Sequence, residues 1–97
     1  MAFPENRQVR MYATRNCPYC HRAEALLGRK GIRPHILLVD HNPSLRLEMA
    51  RLSGGKRTVP QIFIGNQHVG GYDDLSALDR SGILDRMLGI ADSGKGA

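Results

Sequence analysis

Cys17-Pro18-Tyr19-Cys20 holds the chain's only two cysteines, three residues apart. Pro18 suits the first turn of a helix, where its missing N–H would have no partner anyway. Cysteines at i and i+3 on such a helix place both sulfurs on one turn. Three chemistries compete for this arrangement. A structural disulfide would close a loop so short that it removes only about 2 kcal/mol of unfolded-state entropy, and a reducing compartment would keep it open much of the time. Metal binding is the second. Two thiolates alone do not complete a tetrahedral zinc site. His21 extends the string to C-x-x-C-H, a haem-attachment pattern normally found with export, and an iron–sulfur cluster shared between two chains would also accept the pair. The third is dithiol exchange. Cys17 at the helix start meets unpaired backbone N–H groups and the positive end of the helix dipole. A free thiol is only about 3% ionised at neutral pH, and a dipole contribution of about 1 to 2 kcal/mol lowers its pKa by roughly one unit. Arg15 and Arg22 stand close by in sequence. Cys20, one turn inside, lacks the free donors and suits a resolving role.

The elements that must position this pair can be read from periodicity. Residues 1 to 8 read as a frayed lead-in, and Val9 and Met11 alternate with Arg10 and Tyr12 as in a short strand. After Asn16-Cys17-Pro18 the spacing becomes helical, with Cys20, Ala23 and Leu27 on one face and Gly31 as the stop. Ile36 to Val39 is apolar without alternation, as expected of a strand covered on both faces. Asp40 to Pro43 turns the chain into a second helix carrying Leu45, Met49 and Leu52, and Ser53-Gly54-Gly55 ends it. Gln61 to Ile64 and Gln67 to Val69 are short strands around Gly65-Asn66, which suits a type II′ hairpin. Asp73 or Asp74 can then cap a helix bearing Leu75 and Leu78, interrupted at Ser81-Gly82 before Ile83 and Leu84. The order is β-α-β-α-β-β-α: a right-handed parallel unit extended by a hairpin, giving a four-stranded mixed sheet with helices on both faces. The tail, residues 91–97, reads as disordered.

Composition narrows the classes. Ninety-seven residues give one domain, 1–97, with a core of about 8–90. The longest apolar run, Ile36 to Val39, is far too short to span a bilayer, and Met1 to Arg7 lack the pattern of a secretory signal. Fourteen Lys and Arg against nine Asp and Glu give a net charge of +5. The basic residues are scattered and only two Phe and three Tyr could stack on bases, so the charge reads first as solvated surface, then as attraction for a small anion. These features imply a cytoplasmic globular protein; a monomer with no nucleic-acid or membrane partner is the expectation.

Cys17-Pro18-Tyr19-Cys20, Thr58-Val59-Pro60 and Gly70-Gly71-Tyr72-Asp73-Asp74-Leu75, in this order and on these elements, resemble the dithiol glutaredoxins of the CPYC type common in bacteria. The resemblance spans roughly residues 8 to 90. It implies a thioredoxin-like fold and a glutathione-disulfide oxidoreductase that needs no bound cofactor and no metal, with glutathione as cosubstrate and disulfide-containing or glutathionylated proteins as partners. Carried onto this chain, Cys17 is the nucleophile and Cys20 the resolving thiol. Tyr19, Arg15, Arg57, Thr58, Val59, Pro60, Gly71, Tyr72, Asp73 and Asp74 would form the glutathione site. Pro60 matches the family's cis-proline, though an ordinary strand-starting proline reads the same in sequence. The last helix start would receive the γ-glutamyl carboxylate on backbone N–H groups, with Asp74 pairing the ammonium. The family often has Lys three residues before the first cysteine, against the glycyl carboxylate. Thr14 stands there instead, with Arg15, Lys56 and Arg57 as substitutes. Tyr72 also replaces what is frequently a small residue.

Overall fold

The computed structural model describes residues 8–90. Eight elements follow in order: β1 (Val9–Ala13), α1 (Pro18–Arg29), β2 (His35–Leu38), α2 (Pro43–Leu52), β3 (Gln61–Ile64), β4 (Gln67–Gly70), α3 (Tyr72–Arg80) and α4 (Ile83–Leu88). They form one sheet in the order β2-β1-β3-β4. β1 runs parallel to β2 and antiparallel to β3, and β3 and β4 make the hairpin. This is the expected mixed sheet with one addition. The interruption at Ser81-Gly82 is complete, because Gly82 takes a left-handed φ of 83° and starts α4 as a separate helix. The expected disordered tail and most of the frayed lead-in fall outside the described residues. Gln8 is the exception: it accepts the Gly65 N–H at 2.9 Å and is tied to the hairpin.

Strand alternation divides the core into two layers. Val9, Met11, Ile62 and Ile64 face α1, α3 and α4 with Ala23, Leu26, Leu27, Leu75 and Leu84, in the cluster that also holds both cysteines. Tyr12 and Phe63 face the other way and pack with Met49 of α2 and with Val39. β2 departs from expectation. It has a neighbour on one side only, so Ile36 and Leu37 are half-buried while His35 and Leu38 are exposed. Val39, fully buried, comes just after the strand rather than in it. Among the described residues, no helix is long and apolar enough to cross a membrane.

Local chemistry explains where the helices stop and start. At the end of α1 the Gly31 N–H reaches Gly28 O at 2.9 Å and the Ile32 N–H reaches Leu27 O at 2.9 Å, with Gly31 at a φ of 79°. That is a Schellman closure, which needs the left-handed residue. Asn42 caps α2, its side-chain oxygen accepting from Leu45 N at 3.1 Å. In the hairpin Gly65 has a φ of 60° and Asn66 does not enter the left-handed region, the signs a type II′ turn demands. Lys30 joins the three helices on one side of the sheet, its ammonium lying 2.7 Å from both Asp79 of α3 and Asp85 of α4. Those hydrogen bonds, Asp79's first, raise the Lys30 pKa.

The Tyr12 side chain is wholly buried, and its hydroxyl donates to Glu48 Oε2 of α2 at 2.5 Å. Burial, and then the Glu48 carboxylate, push the Tyr12 hydroxyl up to about 12. The unfolded chain ionises this group near pH 10, so the protein is stabilised against ionisation below that point and loses the contribution between about pH 10 and pH 12. The loss amounts to about 2 to 3 kcal/mol. Tyr12→Phe is therefore expected to flatten this part of the alkaline denaturation curve, measured by urea unfolding at stepped pH. An equally steep decline in the variant would assign it to other groups.

Candidate active site

Cys17 is the N-cap of α1, with extended backbone, and Pro18 occupies the first helical position. Pro18 has no N–H to offer, so the local donors of the first turn begin at Tyr19. The Cys20 N–H donates to Cys17 Sγ at 3.0 Å. The two sulfurs are joined in a disulfide, with Cα atoms 5.2 Å apart. Cys17 is 6% and Cys20 3% exposed, so this oxidised pair is mostly covered. Tyr19 between them is 52% exposed. The Arg22 guanidinium lies 5.2 Å from the centre of the Tyr19 ring.

A groove of ≈ 250 Å³ opens beside Tyr19, lined by Thr58, Val59, Pro60, Gly71, Tyr72 and Asp73. The Val59–Pro60 peptide is cis. Val59 and Tyr72 also pack against the core cluster that contains both cysteines. The rings of Tyr19 and Tyr72 lie 6.2 Å apart, tilted by 32°, forming one rim of the groove. The same side of the groove continues into the start of α3, where Tyr72, Asp73 and Asp74 hold the first three helical positions. Their N–H groups have no intrahelical acceptor. Helix dipole and free donors together make such a wall receptive to a carboxylate.

The capping of α3 differs from the sequence reading. Neither Asp73 nor Asp74 is the N-cap; Gly71 is. Asp74 sits inside the helix and reaches back, its Oδ2 accepting from the Gly71 N–H at 3.1 Å. A short acidic side chain at either position caps equally well on paper, and only the path of Gly70-Gly71 decides between them.

Three of the expected binding residues stand away from the groove lining. Arg15 lines a separate cavity with Thr14, Cys20 and His21, and its backbone N–H donates to the Asp40 carboxylate at 3.1 and 3.2 Å. Asp74 borders a cavity between β4 and the last two helices. Arg57 is exposed on the segment before Thr58, next to Lys56. Thr14 lines the same cavity as Arg15, not the groove. Among the described residues, no group of three or more His, Cys, Asp or Glu side chains could hold a metal ion.

The sequence of the glutaredoxin family matches residues 9–69. Glutaredoxin 3 of Escherichia coli is 54% identical over 80 residues, covering 82% of this chain and 95% of that protein. The chain belongs to the glutaredoxin family. Solved structures agree in fold. The glutaredoxin of Brucella melitensis superposes with a TM-score of 0.74 at 48% identity, covering 89% of this chain and 94% of that one. A buckwheat glutaredoxin–glutathione complex superposes with a TM-score of 0.77 at 30% identity, covering 86% and 81%. The expected thioredoxin-like α/β fold is therefore the fold of this glutaredoxin.

Two polar residues behind the Thr58 side of the groove escaped the sequence reading. Gln61 is a buried strand residue, 3% exposed, whose amide nitrogen donates to Thr58 O at 3.1 Å and lies 3.3 Å from Thr58 Oγ1. His68 of β4 contacts the other end of that amide. A polar residue in a strand whose other members are Ile62, Phe63 and Ile64 was the available signal, since a buried polar side chain must find partners.

Proposed function

We propose that this glutaredoxin reduces protein disulfides and glutathione mixed disulfides, with glutathione as the reductant, Cys17 as nucleophile and Cys20 as resolving thiol. The observation carrying this reading is the joined pair at the start of α1, whose intervening Tyr19 lines a groove ending at the N-terminus of α3. On reduction, the Cys20 N–H that points at Cys17 Sγ is a ready donor to a thiolate there.

The chemistry balances in two routes. With a glutathionylated thiol, the Cys17 thiolate attacks the glutathione sulfur, the substrate leaves as a thiolate and takes a proton, and Cys17 is left as a glutathione mixed disulfide. A second glutathione thiolate attacks the glutathione sulfur of this adduct, releasing oxidised glutathione and restoring Cys17. With a protein disulfide, Cys17 forms the adduct and Cys20 attacks Cys17 Sγ, expelling the second substrate thiolate and closing the 17–20 disulfide. Two glutathione molecules then reopen it. Each step is in-line exchange of a thiolate at a disulfide sulfur.

Groove chemistry suits the peptide as well. Val59 beside Pro60 offers backbone groups to its cysteinyl part, the start of α3 offers N–H groups to the γ-glutamyl carboxylate, and Asp73 lies on the lining for the ammonium. Asp74 shares that role only with the oxygen left over from Gly71. Arg57 and Lys56, entering the groove wall through Thr58, are better placed in sequence than Arg15 to meet the glycyl carboxylate. The reading includes one domain, residues 1–97, acting as a monomer in the cytoplasm, without bound cofactor, metal, nucleic acid or membrane partner.

A coupled assay supplying electrons from glutathione and glutathione reductase, or from thioredoxin reductase, tests the assignment. Turnover of a glutathionylated peptide is expected with the first system and only background with the second. Efficient turnover driven directly by thioredoxin reductase, with none from glutathione, would place the protein among redoxins served by that reductase.

A further inference from the structure

The Thr58–Pro60 wall of the groove is held from behind by a side chain, and that side chain is itself held. The Gln61 nitrogen donates to the Thr58 carbonyl. A carbonyl can only accept, so the amide nitrogen faces Thr58 and the amide oxygen faces away from it. That oxygen lies 2.7 Å from His68 Nε2. An amide oxygen also only accepts, so His68 carries a proton on Nε2. Either the neutral Nε2–H tautomer or the imidazolium meets this requirement, and the contact persists in both charge states.

The sheet explains how His68 reaches Gln61. Phe63 and Gln61 are two residues apart on β3 and share a face, and His68 is the cross-strand partner of Phe63. The β3–β4 register shifts between Ile62 and Phe63, a bulge of the kind that re-aims a side chain. The His68 ring stacks on Phe63 with centroids 4.9 Å apart, while the Arg10 guanidinium lies 5.1 Å from the Phe63 ring centre. His68 is thus fixed by packing and points its proton diagonally at the amide.

We propose that His68 is a positioning residue for the glutathione groove, acting through Gln61 to hold the Thr58–Val59–Pro60 wall. This rests on the assignment of the groove to glutathione. Without the His68 proton, the buried Gln61 oxygen is left without its donor, a cost that favours swinging the side chain toward another partner and away from Thr58.

Steady-state kinetics of the full chain on a glutathionylated peptide, with glutathione as reductant, test the relay. His68→Phe keeps a ring against Phe63 and removes the donor; Gln61→Leu removes the amide. His68→Phe is expected to raise the apparent KM roughly threefold to tenfold, with the maximal rate held within about twofold. His68→Gln, which restores an N–H donor, is expected to recover most of the loss, and the double variant should be no worse than Gln61→Leu alone. Should His68→Phe fold poorly, His68→Gln against His68→Asn, whose shorter amide falls short of Gln61, gives the same contrast. An unchanged KM in His68→Phe, additive effects in the double variant, or no recovery with His68→Gln would overturn the proposal. Tyr19→Ala separates the two levels. If it raises KM and His68→Phe does not, the relay is wrong and the groove assignment stands. If neither changes KM, the groove assignment fails and takes the relay with it.

Discussion

Cys17→Ser is expected to reduce turnover to background with every disulfide substrate, while Cys20→Ser keeps most of its activity on glutathionylated substrates and loses it on protein disulfides. The asymmetry follows from the first turn of α1. Cys17 is the N-cap, its sulfur accepts the Cys20 N–H at 3.0 Å, and the turn's positive end stabilises an anion there. Serine at position 17 has no sulfur and cannot make the mixed disulfide on which both routes depend. Cys20 is one turn inside, 3% exposed, and borders the cavity of Thr14 and His21, while neither sulfur is part of the groove lining itself. It is needed only where an adduct must be resolved internally. A glutathione adduct on Cys17 can instead be cleared by a second glutathione from solvent. Rates of the two variants on a glutathionylated peptide and on a protein disulfide, measured side by side, check this. Equal loss of deglutathionylation in both would mean that Cys20 takes part in that route too.

Much of this was legible in sequence because the deciding signals are local. Pro18 after Cys17, Gly31 after Arg29 and Lys30, and the Asp40 to Pro43 turn each mark a helix boundary by a steric or capping rule that needs no tertiary information. The apolar run Ile62–Ile64 of β3 likewise follows from burial, whereas the alternation read in Val9 to Tyr12 does not hold, because Tyr12 is buried like Met11 in a strand covered on both faces. The misreadings arose where tertiary position decides. Ile36 to Val39 looks fully covered in sequence, but sheet order puts β2 at an edge. Asp73 and Asp74 are chemically equivalent caps, and the path of two glycines chose Asp74 from inside the helix. Arg15 lies two residues before Cys17 in the chain, yet its backbone is turned toward Asp40 and it lines a different cavity. The Gln61–His68 contact joins residues seven apart through a bulge that no periodicity announces.

Gly70→Ala is expected to destabilise the protein by about 2 to 4 kcal/mol, combining strain at a glycine-only backbone angle with a lost cap. Gly70 has a φ of 119°, which side-chain-bearing residues rarely adopt. A Cβ there would also run into the Asp74 carboxylate. That carboxylate is the group accepting the Gly71 N–H at 3.1 Å, so to make room Asp74 must leave the α3 start. In a domain of this size the melting temperature falls by about 4 to 8 °C per kcal/mol, so the drop should exceed about 8 °C. The two contributions can be separated. Asp74→Ala alone should cost about 1 kcal/mol, the cap. In the Gly70→Ala/Asp74→Ala double variant the collision is gone and the cap is lost only once, so the total should fall short of the sum of the single changes by roughly that amount. Full additivity would show that Asp74 does not obstruct a side chain at position 70, and a Gly70→Ala variant within about 0.5 kcal/mol of the parent would show that the backbone there tolerates alanine. Gly71, Tyr72 and Asp73, the residues that the cap holds in place, line the groove. Gly70→Ala should therefore also raise the apparent KM for a glutathionylated peptide at temperatures where the variant remains folded, and the double variant should share that defect, because both have lost the hydrogen bond that fixes the first turn of α3.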